Sequence, residues 1–159
     1  MNFRPFGSML LVTAMLTFLY PANDVHAESS LSMNETITFF YYKDLEAQAP
    51  FYEELLGLEK TMDADWVKIY RITETSSVGL VLEGRGVHGA TEDKPAMLSI
   101  VTDDVDAWYA KMVAAKVTVT NELSPPESKA KPGRAPVRGF IVEDPGGYTI
   151  EFFTWQNQE

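Results

Sequence analysis

The sequence predicts an α+β domain in which β-α-β-β-β occurs twice. Three observations predict it. Ile37–Ala47 and Met97–Ala107, sixty residues apart, read the same way: an apolar strand-like run, an Asp suited to cap a helix, then an apolar-acidic-Ala helix start. Each copy is followed by strand-length segments rich in β-branched and aromatic residues. One such unit cannot bury both faces of its small sheet, so the two are expected to pair into one domain.

Before the repeat, Arg4 supplies a positive charge, Met9–Tyr20 is mostly apolar, and Val25-His26-Ala27 offers side chains that suit a signal peptidase. That order predicts a cleavable signal over residues 1–27, with a secreted or periplasmic product. The apolar run is short for a spanning helix, which needs about 20 residues, so no membrane attachment is expected after cleavage. Glu28–Glu159 then forms the domain, with module one at about 34–85 and module two at about 95–155. The net charge of −10 argues against nucleic acid and anionic membranes as partners. Cysteine is absent, so no disulfide supports the fold.

In module one, Thr36–Tyr42 reads as a strand and Asp44 as a helix cap. Leu45, Ala49, Tyr52, Leu55 and Leu56 form a helical stripe that Gly57 ends. Pro50 lies inside the stripe, so the first turn should be distinct and the regular helix should begin near Pro50. Leu58–Met62, Asp65–Ile72 and Val78–Glu83 are the expected strands, with Trp66, Lys68, Tyr70 and Ile72 on one face of the second. Gly84–Pro95 reads as a linker.

In module two, Ala96–Thr102 is a strand and Asp104 a helix cap. Val105, Trp108, Tyr109, Met112 and Ala115 form the helix stripe, and its two aromatics are read as core. Val117–Asn121 is a short strand, and Leu123–Pro136, with four prolines, is an excursion or flap. Val137–Glu143 and Tyr148–Trp155 are the last strands. Asp144-Pro145-Gly146-Gly147 joins them: Pro presets φ and the glycines supply positive φ.

Asp44-Leu45-Glu46-Ala47 leading to Phe51–Leu58, with Arg138-Gly139-Phe140 and Asp144–Phe152, resembles the vicinal oxygen chelate superfamily. That group includes glyoxalase I, bleomycin-resistance proteins, fosfomycin-resistance enzymes and extradiol dioxygenases. The resemblance covers nearly all of Glu28–Glu159. It implies a cupped mixed sheet with helices outside and the ligand in the cup. It also leaves open a homodimer, and pairing of the modules within one chain or between two. It does not choose among isomerases, oxygenases, transferases and binding proteins.

Metal-using members place a His on the first strand of each module, seven residues before the helix-capping Asp, and a Glu on each last strand. Here those His positions hold Ile37 and Met97. Alignment puts the first module's Glu position at Leu80 or Leu82, with Glu83 on the opposite face, so Glu151 alone matches. His88 lies in the linker, as a solvated loop residue unless the linker folds over the cup. One hard donor does not make a site that needs three or more, so no metal and no other cofactor is expected.

Strand alternation groups Ile37, Phe39 and Tyr41, then Met97, Ser99 and Val101, then Thr149, Glu151 and Phe153. If the family's ligand positions face inward, these line the cup. The expected ligand-binding set is Phe39, Tyr41, Met97, Ser99, Arg138, Thr149, Glu151 and Phe153, and it suits a small organic molecule. Glu151 carries two further readings: a general base, or a structural partner of Arg138 on the adjacent strand. The leading expectation is therefore a metal-free binding protein. The alternative is a glyoxalase- or dioxygenase-like lyase, isomerase or oxygenase that uses Glu151 with a divergent or absent metal site.

Overall fold

The computed structural model describes residues 32–126 and 136–156. The expected signal segment and residues 127–135 of the proline-rich excursion lie outside the described residues. The described residues form eight strands: β1 Thr36–Tyr42, β2 Glu59–Ala64, β3 Val67–Thr73, β4 Ser76–Leu82, β5 Met97–Val101, β6 Val119–Asn121, β7 Val137–Glu143 and β8 Thr149–Trp155. They form two four-stranded sheets of one topology, β1-β4-β3-β2 and β5-β8-β7-β6. In each, the first strand runs parallel to the last and the remaining pairs are antiparallel. The repeat in the sequence is thus a repeat of βαβββ architecture.

The two helix entries differ in detail. Asp44 caps as expected, its Oδ1 accepting the N–H groups of Glu46 at 2.9 Å and Ala47 at 3.1 Å. Asp104 does not cap through its side chain. Instead its own N–H donates to Thr102 Oγ1 at 3.1 Å before helix α1, Val105–Ala114. In module one, residues 46–50 make a tight entry into a π-helical turn, Phe51–Leu55. Pro50 has no N–H to give the carbonyl of residue 46. Past it the turn is wide, with Leu56 N–H reaching Phe51 O at 2.9 Å. Strand β6 starts two residues later than expected. The Val117 N–H closes the end of α1 on Met112 O, and Lys116 turns the chain with φ 57°.

Period-two alternation decides which side of each sheet is core. Phe40 and Tyr42, Val78 and Leu80, Phe140 and Val142, Ile150 and Phe152 all point to the helices and are buried. Leu45, Phe51, Tyr52, Val105 and Met112 meet them. Trp108 stacks on Phe152 at 5.2 Å and Tyr109 meets Phe140 edge-on, so both helix aromatics belong to this core. Each fully buried side chain of this size contributes about 1.5–3 kcal/mol, which is how the fold stands without disulfides.

One continuous apolar cluster runs through both modules. No backbone ladder joins the two sheets among the described residues. The β7–β8 turn joins them instead. Tyr148 stacks on Phe40 with centroids 3.9 Å apart, and its hydroxyl accepts the Tyr41 N–H at 2.9 Å.

Candidate functional site: the odd-numbered sheet face

The side chains that do not enter the core share the other face of the sheets. Strand register matches that face between modules residue by residue. Ile37 pairs with Ser77 as Met97 pairs with Thr149. Phe39 pairs with Gly79 as Ser99 pairs with Glu151, and Tyr41 with Val81 as Val101 with Phe153. The first-module equivalent of Glu151 is therefore Gly79, not Leu80 or Leu82. Leu80 is fully buried on the opposite, core face. The offset grows further along the module than simple alignment suggests, and only strand pairing reveals it.

The two equivalent positions hold opposite chemistry. In module two, Ser99 Oγ donates to Glu151 Oε2 at 2.7 Å across neighbouring parallel strands. In module one the Cδ1–Cε1 edge of the Phe39 ring comes against Gly79. A Cβ there would sit 2.4 Å from Phe39 Cδ1, so only glycine admits the ring. One module presents a carboxylate with its hydroxyl on this face, and the other presents an aromatic ring.

Around these, Met97 and Val101 are about half exposed, as is Phe39 itself. Phe153 is buried and meets the exposed Trp155 edge-on at 5.1 Å. Tyr41 is partly covered by the linker, whose exposed His88 ring approaches it edge-on at 5.5 Å. The linker therefore does reach this face, at its Tyr41 end. Thr149 is partly buried and pairs with Met97. The strands thus bring Phe39, Tyr41, Met97, Ser99, Thr149, Glu151 and Phe153 onto odd-numbered positions of the two sheets.

Arg138 is not among them. It lies on an even position and reaches the helix side, where Nη1 and Nη2 donate to Asp106 Oδ2 and Oδ1 at 2.7 and 2.6 Å. Its Nε donates to Ser124 O at 3.0 Å. The hydrogen bonds from Arg138 hold the Asp106 carboxyl below its ordinary range, and the same pairing raises the guanidinium. Glu151 lies opposite Ile141 instead, so no Arg138–Glu151 pair forms.

The sequence reading did not anticipate a second polar constellation. Asp144, from the Asp-Pro-Gly-Gly turn, is buried with no cation beside it among the described residues. Its Oδ1 accepts the N–H groups of Gly146 and Tyr148 at 2.9 and 2.8 Å. Its Oδ2 accepts the Tyr42 and Tyr52 hydroxyls at 2.5 and 2.8 Å. Burial, each other's proximity and the carboxylate push the Tyr42 phenol far above its ordinary value, and burial first raises Tyr52 as well. The signal for this cluster was present in the sequence as aromatic hydroxyls on core-facing positions, which need a buried acceptor.

A metal of the kind the resemblance implies does not fit these residues. The four corresponding positions hold Ile37, Gly79, Met97 and Glu151, which amount to one hard donor and one soft thioether. The Phe39 ring also fills the space in front of Gly79. Among the described residues, no group of three His, Cys, Asp or Glu side chains stands close enough to hold an ion.

Comparison with known proteins agrees with this architecture. Residues 34–152 match the family described as the Glyoxalase/Bleomycin resistance protein/Dioxygenase superfamily. Among solved structures, a glyoxalase/bleomycin resistance protein/dioxygenase from Nocardioides is 16% identical, with TM-score 0.62, over 84% of this chain and 89% of that one. A lactoylglutathione lyase from Agrobacterium tumefaciens is 21% identical, with TM-score 0.58, over 79% and 93%. A virulence protein from Salmonella typhimurium is 15% identical, with TM-score 0.60, over 79% and 99%. No curated protein sequence matches the chain. Likeness at these identities carries the fold alone, while the family match spans most of the sequence. With its repeated βαβββ modules, the chain belongs to the Glyoxalase/Bleomycin resistance protein/Dioxygenase superfamily.

Proposed function

We propose that this protein is an exported, metal-free binder of a small organic molecule, held on the odd-numbered sheet face. The observation that carries the reading is the contrast between Ser99–Glu151 and Phe39–Gly79 at equivalent positions. A carboxylate flanked on its own sheet by Met97, Val101 and Phe153, with Phe39 at the equivalent position of the other module, favours a ligand with an apolar body and one cationic or hydroxyl group. The body lies against the aromatic and thioether side chains, and the donor group is oriented by Glu151. Export rests on the charged and apolar order of the first 27 residues.

Tryptophan fluorescence provides the test, since Trp155 is exposed beside Phe153. Titration with 2-phenylethylamine should quench or shift the emission. The matched acid, 3-phenylpropionate, should not, and Glu151→Gln should remove the preference. Equal binding of amine and acid would overturn the reading. So would stoichiometric binding of a divalent metal accompanied by turnover.

A second reading keeps Glu151 as the general base of a lyase or isomerase. The Ser99 hydroxyl favours it by holding one carboxylate oxygen and leaving the other free to take a proton. Turnover that vanishes in Glu151→Gln while the fold persists is the result that would select it.

A further inference from the structure

Gly79 lies in the middle of β4, where a glycine weakens the strand because it brings no side chain to pack. The backbone does not require it. The pairing of β4 with β1 and with β3 runs without a break through Gly79, so no bulge is centred there. Among the described glycines, positive φ belongs to Gly57, Gly84 and Gly147. The remaining reason for glycine inside a strand is the close approach of another group.

That group is the Phe39 ring. Its Cδ1 and Cε1 would lie 2.4 and 2.5 Å from a Cβ at position 79, and Ile37 Cγ2 would lie 3.5 Å away. The neighbouring positions on this face carry side chains. Ile69 is opposite Gly79 on β3, and Ser77 and Val81 flank it on β4. The missing side chain therefore leaves a slot floored by backbone, and an aromatic edge seats in it.

Phe39 is not held there as a core residue is. It stays 45% exposed, whereas its neighbour Phe40 on the core face is fully buried. A ring with so much surface already in water loses little burial by leaving, and rotation about χ1 carries it off the glycine.

We propose that Phe39 is a self-ligand: its ring occupies a slot that an aromatic ring of the bound molecule takes over, with Phe39 turning aside. This rests on the reading that the odd-numbered face holds the ligand, and it names the class of its body as a planar aromatic ring. The protein's own ring shows what the slot accepts. An aromatic ring enters edge-on with the thickness of one atom, whereas a saturated ring is puckered and thicker. Exchange of one aromatic ring for another keeps the contact with the glycine floor.

The test uses the whole folded protein and two neutral probes, phenol and cyclohexanol, read by calorimetry and thermal shift. Phenol should bind one to one and raise Tm, and cyclohexanol should bind at least about fivefold more weakly. Phe39→Ala vacates the slot. It should bind phenol at least about fivefold more tightly than wild type, because the competing conformation is gone. Gly79→Ala puts a methyl group on the floor and should weaken phenol binding by a similar factor. It keeps the test decisive if Phe39→Ala folds poorly. In the double variant the gain from Phe39→Ala should vanish. Absence of phenol binding to wild type would overturn the proposal, as would cyclohexanol binding equally well. Phenol binding no tighter to Phe39→Ala than to wild type would also overturn it, by making Phe39 a wall of the site and not its occupant. Phenol is uncharged at about pH 7, so its binding does not call on Glu151. Failure of the amine-over-acid preference therefore leaves the result at the slot standing, and the two readings fail separately.

Discussion

The Tyr42 hydroxyl donates to Asp144 Oδ2 at 2.5 Å and ties the first strand of module one to the last turn of module two. Tyr52 donates to the same oxygen at 2.8 Å, and the two phenols lie 2.9 Å apart. A buried carboxylate with four donors and, among the described residues, no cation is a strong but brittle junction. Its worth depends on every partner being present.

Asp144→Asn should therefore loosen the junction between the modules. The amide keeps one acceptor oxygen where the carboxylate has two, and its NH₂ faces groups that themselves donate. A loss of about 2 kcal/mol is expected, the scale of buried hydrogen bonds to a charged group. Urea unfolding measures it as a lower midpoint at unchanged slope. A loss below about 0.5 kcal/mol would show that the junction is dispensable.

The phenols of this cluster set an alkaline limit. Burial and the carboxylate raise Tyr42 and Tyr52 in the folded state above their ordinary value of 10.0. Their contribution to stability is then fully present below about pH 10 and is lost as pH rises further, since the unfolded phenols ionise first. Absorbance at 295 nm should show Tyr42 and Tyr52 ionising only as the protein unfolds, and Tyr70 and Tyr109, each hydrogen-bonded to a carboxylate, also ionising above the ordinary value. Ionisation of Tyr42 and Tyr52 while the protein stays folded near pH 10 would contradict this.

The Arg138–Asp106 pair should behave in the opposite sense. The folded carboxyl of Asp106 titrates below its ordinary value of 3.8, so the pair's contribution is present above that pH and lost as pH falls through the folded value. Because Asp106 is exposed, the difference between wild type and Asp106→Asn should be small at neutral pH. It should disappear in acid and shrink in high salt. A difference that persists at pH 2 would be evidence against the pair as its source.

Gly79→Ala should displace the Phe39 ring. The new Cβ would come within 2.4 Å of it, but Phe39 is 45% exposed and can swing away. The expected cost is about 1 kcal/mol, at the low end for overpacking. Phe39→Ala should relieve it, so a double-mutant cycle should show coupling between the two sites. Additive effects would mean that the ring does not rest on Gly79.

Glu151→Gln should leave stability within about 0.5 kcal/mol of wild type. Its side chain bonds only to the Ser99 hydroxyl among the described residues, which can also donate to an amide oxygen. A large loss in thermal unfolding would mark Glu151 as structural instead.

The sequence carried the architecture because its signals are local. Period-two alternation in Thr36–Tyr42 and Val137–Glu143, the Asp44 cap and the Asp-Pro-Gly-Gly turn each act over a few residues. Gly147 has φ 86°, as that turn chemistry requires. Local reading misjudged Asp104, whose position looks like a cap while Thr102 supplies the hydrogen bond. It also placed Arg138 beside Glu151, because both lie on adjacent strands. Parity separates them, sending one to the helices and the other to the open face.

The sequence by itself determined the duplicated βαβββ plan, which residues of a strand share a face, and the poverty of hard ligands at Ile37 and Met97. These follow from residue type and spacing, which chain geometry converts directly into facing. Tertiary structure decided which residues are equivalent between modules and which polar groups share a space. Gly79 matches Glu151 only through strand register, and Tyr42 and Asp144 meet across 102 positions of chain. Contacts of that separation depend on how the two modules dock, and no local pattern encodes the docking.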